Sequence, residues 1–538
     1  MNGKLRVAAI GVALIVAAML LLLVVRPSLD PAQLRPLPLI TGAWLAFLVA
    51  AWLLRKVPRR TAVVLILLGG IGLQAVAVSV PRAYSNDLYR YMWDGRVQAA
   101  GIDPYQYVPT ATQLTGLRNE FLFYPGAQYC VSPGYVASHP AAELTAGCTR
   151  INRPTVPTIY PPVAEAYFLG VYYLHPADDS SLPIQATTAA VAVLVTVLLL
   201  VGLGRLGRDV RMAALWAWCP TVILEAGNSA HVDVVAVAIT AAAILALATA
   251  RTTRRTVAGG ILLGLAIATK LTPVLAVPAV FARGAEPPRP PREAMRRRWF
   301  TVAVAASGAF IAVYIPHVLQ VGSKVVGFLP GYLQQENYTS GTRYGIIGLF
   351  IIGPLATVVA LLILAAVALA VLQFSPPDRP WSGAVVMTAA ALAVATPHYQ
   401  WYSLLLVMLV ALDGKPEWLA FAAGGYYAAY PALGARYHIP PRLQDAAAYG
   451  VPLMIVAVGW LIRNKLAQRA AVTAEPMVAE PVATEPVPVP VATAPEGAVA
   501  EVAEPESVGR EIPVGGPRAF LPVGYPPRKH QTAPGLRT

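Results

Sequence analysis

The sequence predicts an all-α polytopic membrane protein with about 12–14 transmembrane helices, and three observations support this prediction. Of the 538 residues, 57% are hydrophobic and only 13% are charged, whereas about 25% is usual in soluble domains. Apolar runs recur that are long enough to cross a hydrocarbon core of about 30 Å. Lys and Arg cluster between these runs. The composition excludes a soluble globular enzyme, a disordered chain and a nucleic-acid-binding protein.

The apolar runs locate the predicted spans. The first follows Lys4 and Arg6 without a small-residue cleavage pattern after it, so we expect an uncleaved helix rather than a signal peptide. Long candidates are 7–25, 39–54, 61–80, 184–204, 232–250, 299–319, 345–373, 381–397 and 446–462. Shorter candidates are 212–227, 256–269, 271–282, 400–412 and 418–433, and we expect 161–175 to be a re-entrant or interfacial helix.

The positions of the cations predict the orientation. The formal charge is +14, and cytoplasmic loops of membrane proteins carry an excess of Lys and Arg. If the basic clusters face the cytoplasm, both termini are cytoplasmic and residues 81–160 form a long extracytoplasmic loop. Residues 256–282 have basic loops on both sides, so they must cross twice as two short helices that meet at Lys270. The charge therefore has a topological explanation, and no nucleic-acid partner is expected.

The end of the chain has a different composition. Residues 464–538 are rich in Pro, Ala and Glu and nearly lack aromatic side chains. Such a composition does not form a packed core. We therefore predict a membrane catalytic domain over 1–463, followed by a disordered cytoplasmic tail over 464–538.

Polar residues gather in five blocks that the predicted topology places on the extracytoplasmic side. Polar residues near the ends of membrane helices often mark functional sites. The blocks are residues 84–96, 151–162, 228–233, 269–273 and 396–402. Because all five fall on one side of the membrane, we expect one extracytoplasmic site.

The first block contains a candidate general base. Asp87, Arg90 or Tyr91, and Asp94 share a face at helical spacing in a predicted helix over residues 85–99. A carboxylate at the membrane surface can take a proton from a hydroxyl of a lipid-borne substrate. The alternative is an interfacial ion pair, of Asp87 or Asp94 with Arg90, that anchors the helix.

The other blocks offer residues for a phosphate and a sugar. Lys270 is a candidate cation for an anionic phosphate, or else an anchor at the helix turn; Arg90 and Arg153 are further phosphate candidates. Candidates for sugar or acceptor binding are Tyr91, Asp94, Tyr160, Asn228, His231, Asp233 and Tyr399. Their spacing does not match a metal site, and helix capping is the alternative for the polar ones. We expect no required cofactor, although a divalent metal is compatible with the sequence.

Two of the three cysteines lie in the predicted outer loop. Cys130 and Cys148 would face an oxidising compartment. A disulfide between them would stabilise this loop by roughly 3 kcal/mol in the chain-entropy model. We therefore predict this disulfide, and we expect Cys219, which lies within a span, to be packed.

The run DLYRYMWDGRVQAAGIDPY over residues 87–105 resembles the first-loop signature of the polyprenol-phosphate-mannose-dependent mannosyltransferases. These form glycosyltransferase family 87, also called DUF2029, in the C-type superfamily. Residues 151–162, Thr269-Lys270 and Pro397-His398-Tyr399 match later blocks in the same order, so the resemblance covers roughly 1–463.

The resemblance implies a C-type glycosyltransferase fold with an extracytoplasmic active site. It implies inverting transfer of a sugar from a polyprenyl-phosphate donor to a lipid-linked glycan or glycolipid acceptor in the plasma membrane. Asp87 matches the catalytic base of the family, and His398 matches a contact to the donor phosphate. Residues 124–150 and the tail depart from the family pattern, which leaves the acceptor open. The rival interpretation is a polytopic transporter or a lipid-carrier flippase, although the halves of the chain show no convincing repeat.

Overall fold

The fold was analysed in a computed structural model, which describes residues 2–25, 36–82, 85–123, 149–177, 179–284 and 292–474. Within these residues the chain is helical, and the only β-structure described is an isolated bridge between Phe123 and Thr149. The chain divides into two units, Met1–Thr473 and Ala474–Thr538, and all but one of the described residues lie in the first.

The numbered helices follow one another along the chain, and single turns are given by their residues alone. The first six are α1 (Gly3–Val24), α2 (Pro36–Leu54), α3 (Arg59–Val78), α4 (Asp87–Ala99), α5 (Pro162–Leu174) and α6 (Leu182–Arg205). Next come α7 (Pro220–Asn228), α8 (Asp233–Ala248), α9 (Thr253–Ile267), α10 (Arg292–Val321) and α11 (Leu329–Gln335). The last are α12 (Pro354–Phe374), α13 (Pro380–Ala395), α14 (Leu404–Asp413), α15 (Ala420–Ala428), α16 (Pro431–Tyr437) and α17 (Pro441–Ala474).

These helices confirm an all-α multi-pass membrane protein. In the described part of the chain, seven helices are long and apolar enough to span a membrane, and the bent pair α7–α8 raises this to eight. Predicted spans such as 381–397 and 400–412 correspond to shorter apolar helices. The count of 12–14 spans therefore stays a prediction.

The positions where helices break and end test two predictions, the interruption at Lys270 and the domain boundary at residue 463. The α9 helix ends at Ile267 and the next helical turn begins at Thr272, so the helix is interrupted at Lys270 as expected. The boundary predicted at residue 463 is wrong in one respect, because α17 continues to Ala474. The apolar stretch before residue 463 carries helical structure into the more polar segment after it. The predicted tail beyond Ala474 lies outside the described residues.

The break between α7 and α8 changes the direction of the chain. The two helices meet at 119°, and residues Ile223–Asn228 form a π-turn, a feature common at functional sites. Ala230 then has φ of +55°, a left-handed conformation that L-residues other than Gly, Asn and Asp seldom adopt. Together these features turn the chain back on itself over residues 223–233.

A glycine fixes this break against α3. A Cβ atom on Gly227 would lie 2.4 Å from Gln74 Oε1 and 2.8 Å from Ala77 Cβ. The side chain of Asn228 donates to the carbonyls of Ala77 and Pro81, at 3.2 and 3.1 Å. The break is therefore attached to the end of α3, a few residues before α4 begins.

The α10 helix packs differently. It lies along α9, where Gly260 and Gly264 allow close approach; a Cβ atom on Gly264 would be 2.1 Å from the carbonyl oxygen of Ala306. Small residues four apart commonly bring membrane helices into such contact. Many other side chains of α10 are exposed, including Ile311 and Ile315.

Candidate active site

One cavity of about 660 Å³ collects most of the polar blocks predicted from the sequence. Its charged and polar lining includes Asp87, Asn152, Arg153, Tyr160, Glu225, Lys270, His398, Tyr399 and Trp401. Its apolar lining comes from α10 and the segment after it, with Phe310, Tyr314, Val325, Val326, Phe328, Leu329 and Leu333. The cavity is therefore amphiphilic, which suits a ligand with an ionic head and a hydrocarbon tail.

Asp87 begins α4 and presents its carboxylate to this cavity. The position in the first turn is favourable for an anion because the helix dipole is positive there. Asn152 donates a hydrogen bond to Oδ1, and the Tyr160 hydroxyl donates to Oδ2 over 3.5 Å. The side chain is 14% exposed. Asp87 is thus held in place by neutral donors while it stays accessible.

His231 lies behind Asp87. Its Nδ1 is 3.7 Å from Asp87 Oδ2, and its Nε2 is 3.3 Å from Glu225 Oε2. The imidazole is fully buried and stacks on Trp401 with ring centroids 3.9 Å apart. The three side chains therefore form a row in which Asp87 and Glu225 both line the cavity and the buried His231 lies between them.

Lys270 is paired with an acid. Its Nζ is 3.0 Å from Asp233 Oδ2, and it lies 5.3 Å from the centre of the Tyr160 ring. The Asp233 side chain is 3% exposed, and that of Lys270 is 18% exposed. A buried carboxylate thus holds the ammonium group at the cavity while its own charge is compensated.

Arg153 and Tyr399 meet at a third acid. The Tyr399 hydroxyl donates to Glu336 Oε1 at 2.7 Å, and Arg153 Nη2 lies 3.7 Å from the same oxygen. Burial raises the pKa of Tyr399, so its hydroxyl keeps its proton and remains a donor. Glu336 therefore orients one cation and one phenol at the cavity.

His398 is held between a cation and an acid. Arg343 Nη1 lies 3.0 Å from its Nδ1, and Asp445 Oδ1 lies 2.8 Å from its Nε2. A guanidinium can only donate, so Nδ1 accepts and Nε2 carries the hydrogen that it donates to Asp445. Both ring nitrogens of His398 are therefore engaged by protein side chains.

Six predicted site residues are absent from the cavity lining, namely Arg90, Tyr91, Asp94, Asn228, His231 and Asp233. The Nε–H of Arg90 is shared between both carboxylate oxygens of Asp94 at 2.9 Å, and Nη1 donates to the Val156 carbonyl at 3.0 Å. Tyr91 is buried and stacks on Phe168. The ion-pair alternative thus describes Arg90 and Asp94, whereas the expected phosphate contact of Arg90 does not fit its burial.

Predictions were also made for Asn228, for the three cysteines and for a metal site. Asn228 stabilises the helix break, because its side-chain amide donates hydrogen bonds to backbone carbonyls. Cys130 and Cys148 lie outside the described residues, so their disulfide stays a prediction. Cys219 is a buried free cysteine. In the part of the chain that the structure describes, no three His, Cys, Asp or Glu side chains converge as metal ligands.

The structure adds residues that the predictions did not include. Glu225 had a signal in the sequence, because an acidic residue inside an apolar run is unusual. Asn152 lies within a block that the sequence had singled out. Glu336, Arg343 and Asp445 reach the site through tertiary contacts across long stretches of sequence, for which residue spacing gives no signal.

The helices and the cavity define a multi-pass membrane protein with an amphiphilic cavity. Residues 158–397 match the model of Glycosyltransferase family 87. This match covers less than half of the chain, and it supports the family resemblance seen in the motifs of the sequence.

Solved structures and curated proteins give further comparisons. An oligosaccharyltransferase from Archaeoglobus fulgidus, solved with zinc and sulfate, has 14% identity and a TM-score of 0.35, over 72% of this chain and 53% of its own. Archaeal oligosaccharyltransferase AglB from Archaeoglobus fulgidus, solved with an inhibitory peptide and a dolichol-phosphate, has 12% identity and a TM-score of 0.34, over 74% and 56%. This chain thus spans about half the length of these structures. No curated protein matches it.

Proposed function

We propose that the protein transfers a glycosyl residue, mannose in this proposal, from a polyprenyl-phosphate carrier to a hydroxyl of a lipid-linked or cell-envelope glycan. The observation that carries the proposal is the position of the Asp87 carboxylate in a cavity whose lining combines cations with apolar side chains. A polyprenyl-phosphate sugar has an anionic head and a hydrocarbon tail, and the cavity offers surroundings for both.

In the proposed reaction, the acceptor hydroxyl attacks the anomeric carbon and inverts its configuration. Asp87 takes the hydroxyl proton as the new bond forms. The bond from the anomeric carbon to the phosphate oxygen breaks, and its electron pair leaves with the polyprenyl phosphate. Lys270 and Arg153 are the cations placed to stabilise this leaving group, an effect worth several kcal/mol in a partly dry site. No metal is required in this proposal.

The sugar itself would meet aromatic and hydroxyl groups of the cavity. Tyr160 and Tyr399 line it, and Trp401 stacks on Tyr399 with ring centroids 4.6 Å apart. Flat aromatic faces next to hydroxyl donors suit a pyranose, which has both apolar C–H faces and polar edges. The proposal includes an extracytoplasmic site in the plasma membrane, with both termini cytoplasmic.

The test is a transfer assay with purified protein in lipid vesicles. We expect radiolabel from polyprenyl-phosphate-mannose to appear in one member of a panel of lipid-linked acceptors. Asp87→Asn should lower kcat by about 10²–10⁴-fold. The matched control is Asp179→Asn, an exposed acid outside the cavity lining that pairs with His175 at 2.9 Å.

Two results would contradict the proposal. Full activity of folded Asp87→Asn protein would remove Asp87 as the base. Movement of labelled donor across the bilayer, without transfer to any acceptor, would instead indicate a flippase.

A further inference from the structure

A fully buried histidine lies between two carboxylates next to the cavity. Neither ring nitrogen of His231 has a hydrogen-bond partner with good geometry within the described residues. Its two neighbours at charge-pairing distance are Asp87 at Nδ1 and Glu225 at Nε2. A buried imidazole without hydrogen bonds is costly, so its position between two acids calls for a functional explanation.

The helix break holds this row of side chains rigidly. The backbone N–H of His231 donates to the Glu225 carbonyl at 2.9 Å, across the π-turn and the left-handed Ala230. The Tyr426 hydroxyl donates a hydrogen bond to Glu225 Oε1 at 3.2 Å. Trp401 covers one face of the imidazole. The ring can therefore keep one nitrogen toward Asp87 and the other toward Glu225.

We propose that His231, backed by Glu225, is a positioning residue that orients Asp87 and relays the proton that Asp87 removes from the acceptor. This inference rests on the proposed function. A base held in place by a third group is a recurring arrangement in nucleophilic catalysis. Here the group that touches the substrate is Asp87, and His231 acts through it.

The relay balances in protons and charge. The acceptor proton first goes to Asp87 Oδ2, while the polyprenyl phosphate leaves with the electron pair of the broken bond. As Oδ2 and Nδ1 close from 3.7 Å to hydrogen-bonding distance, the proton passes from Oδ2 to an unprotonated Nδ1 of His231, whose Nε2 lies 3.3 Å from Glu225 Oε2. Asp87 returns to a carboxylate, and the new imidazolium lies between two negative charges. The proton then passes back through Asp87 to the departing polyprenyl phosphate, which restores the imidazole for the next turnover.

The experiment compares His231→Gln, Glu225→Gln and the double variant in the vesicle transfer assay. We expect His231→Gln to lower kcat by about 10²-fold and Glu225→Gln by about tenfold, with the donor KM within about twofold of wild type. Because Glu225 acts through His231, the double variant should be no slower than His231→Gln alone. Losses that multiply would instead mean that the two side chains act independently of each other.

The matched control is His317→Gln. His317 also pairs with a buried acid, Asp103, at 2.7 Å, but it is absent from the cavity lining. This variant should keep kcat within about twofold of wild type. If His231→Gln protein does not fold, Glu225→Gln alone decides the matter, because it keeps both the imidazole and the size of the side chain.

The outcomes separate this inference from the proposed function. If Asp87→Asn is inactive while both His231→Gln and Glu225→Gln retain full kcat, the relay is wrong and the proposed function stands. A loss confined to the donor KM, or multiplied losses in the double variant, would also overturn the relay. If Asp87→Asn itself is fully active, the assignment of the base is wrong, and the relay is wrong with it.

Discussion

The cavity has two walls that differ in how they are held. The base wall comprises Asp87, Asn152, Tyr160 and Glu225, with the buried His231 next to Asp87. The lipid wall comprises Phe310, Tyr314 and lining residues between positions 325 and 333. The base wall is attached to buried helices by side-chain hydrogen bonds and close glycine contacts. The lipid wall comes from α10, which packs mainly on α9 and is otherwise largely exposed, and from the segment that follows α10. This difference teaches that the two walls of the cavity have separate structural supports.

The largest expected effect concerns the scaffold behind the base wall. Arg90→Met leaves Asp94 buried without its partner, beside the buried Glu165, and should lower the free energy of unfolding by about 3–5 kcal/mol. Urea unfolding in detergent micelles measures this change. Arg297→Met is the matched control, because Arg297 also pairs with an acid four residues away but on the surface; it should cost at most about 0.5 kcal/mol. Equal losses in the two variants would contradict a rigid base wall.

A large effect on activity is expected at Lys270. Lys270→Met removes a cation that we place at the donor phosphate and should lower kcat/KM by about 10²-fold, or about 3 kcal/mol. Initial rates over a range of donor concentrations give this value. Lys270→Arg keeps the charge beside Asp233 and should recover part of the activity. If the Met variant matches wild type, Lys270 does not belong to the phosphate site.

A smaller effect, on the stability of the protein, is expected at the break between α7 and α8. Gly227→Ala forces a Cβ atom against Ala77 and Gln74 in the packed contact with α3, which should cost about 1–3 kcal/mol of stability. Thermal unfolding with a tryptophan signal reports the loss. Gly72→Ala is the control within α3, since a Cβ atom there meets nothing within 4 Å. Gly227→Ala protein as stable as wild type would show that the break is not fixed by this contact.

The lipid wall should affect binding more than turnover. Phe310→Ala removes apolar surface at the cavity and should raise the donor KM by about tenfold, or about 1.5 kcal/mol, with little change in kcat. Ile311→Ala alters the neighbouring position, which is 56% exposed and absent from the cavity lining, and should leave KM unchanged. If Phe310→Ala lowers kcat and leaves KM unchanged, the proposal that the lipid wall affects binding more than turnover is wrong.

Metal removal should have the smallest effect. The proposed mechanism uses Asp87 and side-chain cations, so treatment with EDTA should change the transfer rate by less than about twofold. The assay is repeated with Mg²⁺ or Mn²⁺ added back. A loss of transfer on chelation that either ion restores would contradict a metal-independent site.

The fold was largely predictable because membrane spans have a strong compositional signal. Predicted runs such as 184–204 and 61–80 lie within two residues of the α6 and α3 bounds. The interruption at Lys270 followed from charge alone. The short helices between residues 210 and 282 were harder, because they are broken by π-turns, 3₁₀ turns and bends that hydropathy does not detect.

The site was predictable only in part. Asp87, Arg153, Lys270 and His398 line the cavity as a group, and their polar blocks were visible in the sequence. The α4 helix misled the prediction because its residues Leu88–Gly95 are buried on all sides, so helical spacing could not tell which face meets the cavity. The partners of His398 come from residues far away in sequence, and only the folded chain brings them together.

The glycine contact between α9 and α10 also has an evolutionary consequence. Because Gly260 and Gly264 meet mostly backbone and small side chains of α10, the contact places few demands on the rest of that helix. Outside the positions that face Gly260 and Gly264, α10 can therefore accept substitutions without loss of this contact.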